Sequence, residues 1–294
     1  MEKMLRSKKA IIFFEAPAFI IFTLILFVPI VHDIYLSFCD YDALSPAKFS
    51  GLGNYAALFK DRVFIGALKN TIFFMIFSLV SQQAAGLGLA AVLNDLRYGK
   101  NTFKNIYYLP NVLSSAALAL LFSFLLKPQI GINAVLAVFG VKGPNWLMTV
   151  SGFPSLTNWV IGFVALWIYV GTTMMLYMAG IAGIDQSLME AAYIDGASKT
   201  QTFFRITLPL LKPMAKTTIS LTCIGSLQFF DLVYNMTQGG PNNKTQTIAT
   251  WLYQQGFKFF KYGYASAMSV ILLILCLVTT VIVNKSINVK DFDN

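Results

Sequence analysis

The chain has 294 residues, of which 56% are hydrophobic and 12% charged, with a net charge of +9 and a mean hydropathy of +0.65. Soluble domains carry about 25% charged residues, so this composition excludes an ordinary water-soluble domain and predicts an integral membrane protein. The basic residues are scattered between apolar runs. This scatter argues against a nucleic-acid partner, which would require a clustered basic surface.

Six apolar runs are long enough to cross about 30 Å of hydrocarbon as helices, which takes about 20 residues each. Their hydrophobicity is continuous, without the alternation of barrel strands, so helices are favoured. The predicted spans are 11–36, 71–94, 106–126, 156–183, 214–236 and 263–284. The sequence therefore predicts an all-α integral membrane protein with six transmembrane helices in a single domain, 1–294.

The first span follows a basic start that resembles a signal peptide, with Lys3, Arg6, Lys8 and Lys9. The run is too long for the apolar region of a signal peptide and lacks a small-residue cleavage site, so we expect an uncleaved span. With the N-terminus inside, the cytoplasmic segments hold 13 of the 22 Lys and Arg residues in less chain than the outside loops. This bias predicts that both termini are cytoplasmic.

The sequence contains no residue pattern typical of a catalytic site or a metal site. Cys39, Cys223 and Cys276 show no CxxC spacing, and His32 is the sole histidine. We expect no disulfide framework, no metal site and no catalytic residues. No G-x-x-x-x-G-K-[ST] stretch occurs, so the chain has no phosphate-cradling loop of that kind.

The inside segment 184–213 carries the most specific pattern. Ser187 and Glu190 form an S-x-x-E pattern, which predicts a capping box at the start of a short helix. Gly196 follows where a helix C-terminal glycine adopts a positive φ.

A second capping-box pattern, at Ser198 and Gln201, predicts another short helix that ends near Ile206. Pro209 then opens the next span, because a missing N–H costs nothing in the first turn. The segment is therefore predicted to form a slim cytoplasmic helical hairpin. Such a hairpin can dock on a partner, or it can simply connect two spans.

The hairpin resembles the EAA signature of the permease subunits of bacterial ATP-binding-cassette importers. That signature is Glu-Ala-Ala, three residues, Gly, nine residues and Ile-x-Leu-Pro. It matches at Glu190, Ala191, Ala192, Gly196, Ile206, Leu208 and Pro209. The resemblance implies that these residues, with the neighbouring Asp195, form the coupling helix that sits in a cleft of an ATPase subunit.

Two further stretches extend the resemblance over nearly the whole chain. Residues 237–241, Thr-Gln-Gly-Gly-Pro, and residues 263–267, Gly-Tyr-Ala-Ser-Ala, are similar to the first of the two permeases in maltose-type and glycerol-phosphate-type sugar importers. The resemblance implies a type I importer permease fold in the bacterial cytoplasmic membrane.

The same resemblance implies the chain's partners. They are a second, related permease, two ATP-binding-cassette ATPase subunits and an extracytoplasmic solute-binding protein. ATP and Mg²⁺ belong to the ATPase subunits, so no cofactor is expected on this chain. The implied activity is import of a sugar or oligosaccharide, with no enzymatic site in the permease itself.

Polar residues inside spans are the candidates for the substrate pathway, because each is costly unless it faces protein or water. The positions that match the sugar contacts of the maltose-type permease recur at i, i+3, i+4 and i+7, which places each set on one helical face. These positions are Ala165, Ile168, Tyr169 and Thr172 in the fourth span, and Thr222, Gly225, Ser226 and Phe229 in the fifth. Gln228 is a further polar candidate, and Gln82 and Gln83 can line the same path. Interhelical packing is the alternative role of all these residues.

An ion-coupled secondary transporter is the alternative function. It predicts inverted halves and acidic residues at the membrane midplane. No half of the sequence repeats the other, and the acidic residues cluster near the span ends. The identity of the sugar and the number of membranes around the cell stay open.

Overall fold

The computed structural model describes residues 8–96 and 98–287. Lys3 and Arg6 of the basic start, Arg97 of the second inside segment and Lys290 near the C-terminus lie outside the described residues. Two short strands, β1 (Cys39–Asp40) and β2 (Lys48–Phe49), pair antiparallel, with Cys39 opposite Phe49.

The remaining elements are helical. In chain order they are α1 (Lys8–Phe22), a π turn (Thr23–Phe27), α2 (Val28–Ser37), α3 (Gly53–Lys60), α4 (Arg62–Asp95), α5 (Lys100–Val112), α6 (Ser115–Leu125), α7 (Ile132–Val138), α8 (Leu156–Ala182), α9 (Gln186–Ile194), α10 (Lys199–Thr202), a π turn (Phe203–Thr207), α11 (Leu208–Leu210), α12 (Lys212–Leu227), α13 (Asp231–Thr237), α14 (Ile248–Tyr253), a π turn (Gln254–Lys258) and α15 (Tyr262–Ser286).

Four helical stretches in the described chain are long and apolar enough to cross a membrane. They are Phe13–Ser37, Arg62–Asp95, Leu156–Ala182 and Tyr262–Ser286. They confirm the predicted first, second, fourth and sixth spans as helices. The second is longer than predicted, since it begins at Arg62 instead of residue 71.

The predicted third span, 106–126, is not one straight helix. It consists of α5 and α6, which meet at 93° and together pass the length and hydropathy test as a broken span or re-entrant loop. Pro110 cannot donate a backbone hydrogen bond, and Leu113 beyond it is extended, with φ −78° and ψ 153°. Ser114 then caps a new helix by accepting a hydrogen bond from the Ala117 N–H at 3.5 Å.

The predicted fifth span, 214–236, is also interrupted. Its residues form α12, of 16 residues, and α13, of seven, on either side of Gln228–Phe230. The break frees the carbonyl of Phe229, which accepts a hydrogen bond from Thr247 Oγ1 at 2.8 Å. A buried backbone group needs such a partner, so the interruption depends on a residue 18 positions away in the sequence.

The described residues divide into two compact units. The first contains the chain up to Asp61 together with Leu252–Ile271. Within it, Asn54 Nδ2 donates to the carbonyls of Ser37 at 3.0 Å and Cys39 at 2.8 Å, and the Gly263 N–H donates to Tyr41 O at 3.0 Å. The prediction of a single domain over 1–294 stays a prediction.

The second unit contains Arg62–Trp251 and the chain from Leu272. Helix α8 lies at its centre and packs against α4, α5, α12 and α13. Apart from the adjacent pair Asn70 and Thr71, the buried residues of α4 recur every three or four positions from Phe64 to Leu93, which puts them on one helical face. Gly86 allows a close approach there, because a Cβ would lie 2.7 Å from Thr173 Cγ2 on α8. This glycine therefore packs two helices together, as small residues do in membranes.

Candidate functional site

The hairpin begins with α9, whose N-cap is Asp185. The Asp185 carboxylate accepts a hydrogen bond from the Ser187 N–H at 2.9 Å, and this bond holds the pKa of the carboxyl below its usual value. The prediction that Ser187 and Glu190 form a capping box is therefore wrong, because Asp185 occupies the cap two residues earlier. Glu190 Oε1 accepts instead from Gln186 Nε2, one helical turn earlier, at 3.0 Å.

The turn at Gly196 is a Schellman motif. Gly196 has φ +77°, its N–H donates to Tyr193 O at 3.1 Å, and the Ala197 N–H donates to Ala192 O at 2.9 Å. These two bonds satisfy carbonyls that the end of α9 leaves open. The positive φ predicted for Gly196 is confirmed.

The second arm starts at the capping box of Ser198 and Gln201, as predicted. Ser198 Oγ accepts from the Gln201 N–H at 3.3 Å, and Gln201 Oε1 accepts from the Ser198 N–H at 2.8 Å. The arm continues past Ile206 through a π turn, in which the Leu208 N–H donates to Phe203 O. The wider turn accommodates Pro209, which has no N–H for an α-helical bond.

The hairpin exposes both polar and apolar side chains. Of the EAA positions, Glu190, Ala191, Gly196 and Pro209 are exposed, Ile206 and Leu208 are half-buried, and Ala192 is buried; the neighbouring Asp195 is exposed. Ile194, at the tip, is 86% exposed, and Tyr193 beside it is 56% exposed. The sequence reasoning missed these two residues because the EAA signature does not include them.

The hairpin is tied to the end of α4. Lys199 Nζ lies 3.0 Å from Asp95 Oδ2, in a pair whose side chains are 69% and 56% exposed. An exposed pair of this kind is worth about 0–1 kcal/mol. A cavity of about 450 Å³ lies behind it, with Ala91, Met189 and Phe203 among its walls.

A second cavity, of about 360 Å³, lies among α4, α5, α8 and α12 and reaches Phe229 beyond the end of α12. It brings together most of the predicted pathway residues: Ala165, Tyr169, Thr172, Thr222, Gly225, Ser226 and Phe229. Three predicted members do not line it. One is Gln83, which belongs to the hydrogen-bonded network at one end of the cavity. Ile168 is only 1% exposed and packs in the core, and Gln228 is exposed at the break after α12.

The cavity wall also contains the predicted Gln82 and six residues that the sequence analysis did not name. They are Ser78, Asn111, Thr173, Leu176, Thr218 and Leu221. Asn111 Nδ2 donates a hydrogen bond to Thr172 Oγ1, which ties the bend after α5 to α8. Ser78 has a sequence signal, since it lies one helical turn before Gln82 on the same face. A continuous third span, as predicted from hydropathy, gives no reason to place Asn111 at the cavity.

A polar network at one end of this cavity joins three helices. Gln83 Oε1 accepts from Tyr177 Oη at 2.7 Å and from Thr218 Oγ1 at 2.9 Å, while Gln83 Nε2 donates to Thr222 Oγ1 at 3.1 Å. The oxygen and the nitrogen of the Gln83 side-chain amide are therefore both hydrogen-bonded, and the residue links α4, α8 and α12.

Within residues 8–96 and 98–287, no three His, Cys, Asp or Glu side chains could together hold a metal ion.

Comparison with known proteins gives matches over most of the chain. The model of the family described as binding-protein-dependent transport system inner membrane component matches residues 84–286, which include the hairpin and most of the residues that line the 360 Å³ cavity. The probable ABC transporter permease protein YurN of Bacillus subtilis is 38% identical over 270 residues, covering 90% of this chain and 91% of that protein.

Two sugar-transport permeases are also similar. The sulfoquinovosyl glycerol transport system permease protein SmoG of Agrobacterium fabrum is 33% identical over 94% of this chain and 89% of its own length. The lactose transport system permease protein LacF of Rhizobium radiobacter is 34% identical over 89% of this chain and 88% of its own length.

Solved structures share the fold. A bacterial ABC transporter involved in the import of the acidic polysaccharide alginate contains a chain that superposes with a TM-score of 0.81 at 25% identity, over 92% of both chains. The alginate transporter in complex with its pentasaccharide-bound periplasmic protein gives a TM-score of 0.80 at 24% identity, over 92% of this chain and 91% of that one.

Proposed function

Because the chain belongs to the family of binding-protein-dependent transport system inner membrane components, we propose that it is the membrane-spanning permease subunit of an ATP-driven sugar importer. The observation that carries this proposal is the hairpin 184–213, whose capped turn exposes Glu190, Ala191 and Gly196 of the EAA signature. Sugar permeases among the relatives favour a sugar or oligosaccharide as the substrate.

The cavity among α4, α5, α8 and α12 is the proposed sugar path. Its volume of about 360 Å³ lies within the range of small-ligand sites, about 300–1,000 Å³. Thr172, Thr222 and Ser226 can exchange hydrogen bonds with sugar hydroxyls, while the rings of Tyr169 and Phe229 can stack on a pyranose face. Hydroxyl groups and aromatic rings on one wall suit a neutral, hydroxyl-rich substrate.

Energy comes from partner subunits in this proposal. The exposed apolar residues Tyr193 and Ile194 at the hairpin tip, beside the Glu190 carboxylate, are suited to a cleft in an ATPase subunit. ATP and Mg²⁺ would be bound by two such subunits, and no cofactor by this chain. A second, related permease would complete the pathway, and an extracytoplasmic solute-binding protein would deliver the sugar.

The proposed location is the bacterial cytoplasmic membrane, with both termini in the cytoplasm. The excess of Lys and Arg in the segments on the side of the hairpin supports this orientation. It places the hairpin beside the ATPase subunits and the N-terminus of α4 on the outer face.

An ion-coupled secondary transporter fits this cavity less well. Such transporters place acidic residues at the substrate and ion site near the midplane. The described residues that line the 360 Å³ cavity include no Asp or Glu. The cavity is therefore better suited to an uncharged sugar than to a proton or sodium ion.

Co-expression with a candidate second permease and a candidate ATPase subunit tests the proposal. We expect the chain to co-purify with a second permease and two ATPase subunits, and ATP hydrolysis by this complex to rise when the sugar-loaded binding protein is added. As a control, Phe163→Trp changes a 57% exposed residue that does not line the cavity, and it should leave the stimulation unchanged. Transport by this chain purified alone would overturn the proposal.

A further inference from the structure

A basic pocket lies at the end of α4 away from the hairpin. It has a volume of about 540 Å³, and Arg62, Lys69 and Lys244 are among its walls. Arg62 and Lys69 stand two helical turns apart on α4, while Lys244 belongs to the loop between α13 and α14. Its described lining includes no Asp or Glu, so the pocket is strongly positive.

The three cations lack acidic partners of their own. All three side chains are exposed, and across the described chain none of them forms an ion pair with a carboxylate. Asp61, next to Arg62 in sequence, accepts a hydrogen bond from Tyr264 Oη at 2.8 Å. The pocket thus presents three unneutralised charges on the proposed outer face, which in membrane proteins generally carries fewer Lys and Arg residues.

A buried amide cage fixes the loop that carries Lys244. Asn70 Nδ2 donates to the carbonyls of Lys244 at 2.9 Å and Gln246 at 2.8 Å, and Asn70 Oδ1 accepts from Asn158 Nδ2 at 2.8 Å. Asn70 and Asn158 are 2% and 1% exposed. A fully bonded, buried network of this kind is rigid, so Lys244 is held beside the two cations of α4 before any partner arrives.

Resting on the function proposed above, we infer that this basic pocket docks an acidic side chain of the extracytoplasmic solute-binding protein. Small-ligand sites bury most of their ligand, whereas these three cations are exposed and suit the rim of a protein interface. Asn242 and Asn243, both with positive φ, form an exposed turn beside the pocket, within reach of an arriving protein. Rim charges of this kind mainly raise the association rate and make it depend on salt.

The test is the binding of the sugar-loaded solute-binding protein to the complete transporter in nanodiscs of zwitterionic lipid. The pocket variant combines Arg62→Gln, Lys69→Gln and Lys244→Gln. The matched control combines Lys48→Gln, Lys60→Gln and Lys142→Gln, which removes three exposed cations from outer segments without touching the pocket. At about 50 mM salt we expect the pocket variant to associate about tenfold more slowly than the control, and the difference to shrink at about 500 mM.

Equal association rates for the two variants at both salt concentrations would overturn the inference, while the proposed function would survive. A difference seen only in nanodiscs with anionic lipid would also overturn it, by assigning the cations to lipid headgroups. If the unmodified transporter binds no solute-binding protein, both the proposed function and this inference are wrong.

Carbodiimide coupling gives a second readout. We expect an amide cross-link between Lys69 or Lys244 and an Asp or Glu of the binding protein, and its absence from the bound complex would contradict the inference.

Discussion

Substitution of Gly196 gives the sharpest test of the coupling hypothesis, because the backbone conformation of this one residue decides the shape of the hairpin. Its φ is +77°, a region that residues with a Cβ rarely adopt. No atom lies within 4 Å of the position that a Cβ would take. Within this chain, therefore, a substitution at Gly196 costs backbone strain alone.

That strain sets the expected magnitude. A left-handed conformation costs an ordinary residue about 1–2 kcal/mol, which corresponds to a factor of about 5–30 in an equilibrium. Gly196→Ala should therefore weaken attachment of the ATPase subunits within that range. Gly196→Val adds a β-branched side chain that would also clash inside the partner's cleft, and we expect it to abolish transport. Gly196→Asn is the matched control, because Asn tolerates this region of φ and ψ.

The assay combines two measurements on each variant. The first is the amount of ATPase subunit that co-purifies with the permease, and the second is ATP hydrolysis stimulated by the sugar-loaded binding protein. Membrane insertion of the permease is expected to stay unchanged. Glu190→Gln keeps the hydrogen-bonding shape and removes the charge. An exposed ion pair between Glu190 and a basic group of the ATPase subunit would be worth about 0–1 kcal/mol, so the effect should be mild.

Two results would refute this reasoning. If Gly196→Val keeps both quantities at the unmodified level, the hairpin is not the coupling element. If Gly196→Asn is as damaging as Gly196→Val, the cause is side-chain bulk and not the positive φ.

Three further predictions concern the cavity, its polar network and the topology. Ser226→Trp or Thr172→Trp should block uptake without loss of assembly, whereas Phe163→Trp, outside the cavity, should leave uptake unchanged. Normal uptake by both cavity variants would show that these positions serve only in helix packing. Gln83→Leu leaves buried hydroxyls without their partner, so we expect the free energy of unfolding to fall by about 1–3 kcal/mol, seen as a lower thermal midpoint of the complex. An unchanged midpoint would contradict the role of that network. A cysteine introduced by Ser198→Cys should resist an impermeant thiol reagent in intact cells, and its labelling there would contradict the orientation.

Local signals in the sequence predicted the hairpin well but not completely. Gly196 and the Ser198–Gln201 capping box depend on neighbours within a few residues, so their patterns can be read directly. The Ser187–Glu190 pattern competes with Asp185, and both Asp and Ser are good N-caps. The sequence alone does not decide which of the two caps the helix, and the structure selects Asp185.

Helix interruptions were harder to predict than helix positions. Hydropathy detects apolar composition, and it found the four continuous spans, but it does not detect a bend. Pro110 was a visible signal for the break in the third span. The break in the fifth span depends on the hydrogen bond from Thr247 to the Phe229 carbonyl, a contact between segments that no local pattern shows.

The cavity shows the same division between local and long-range information. The resemblance to the maltose-type permease selected Tyr169, Thr172 and Ser226, and their helical spacing puts each set on one face; all three line the cavity. Ile168 lies on the same stretch of α8 but packs into the core with residues of α6 and α13. Only the packing of neighbouring helices decides which edge of a face meets the cavity.

Uptake by proteoliposomes tests the central claim most directly. Vesicles would contain this chain with its second permease and two ATPase subunits, ATP inside, and the binding protein with labelled sugar outside. We predict accumulation that requires internal ATP and the binding protein and that continues when ionophores collapse the ion gradients. Accumulation driven by an ion gradient in vesicles that contain this chain without ATPase subunits would contradict the account.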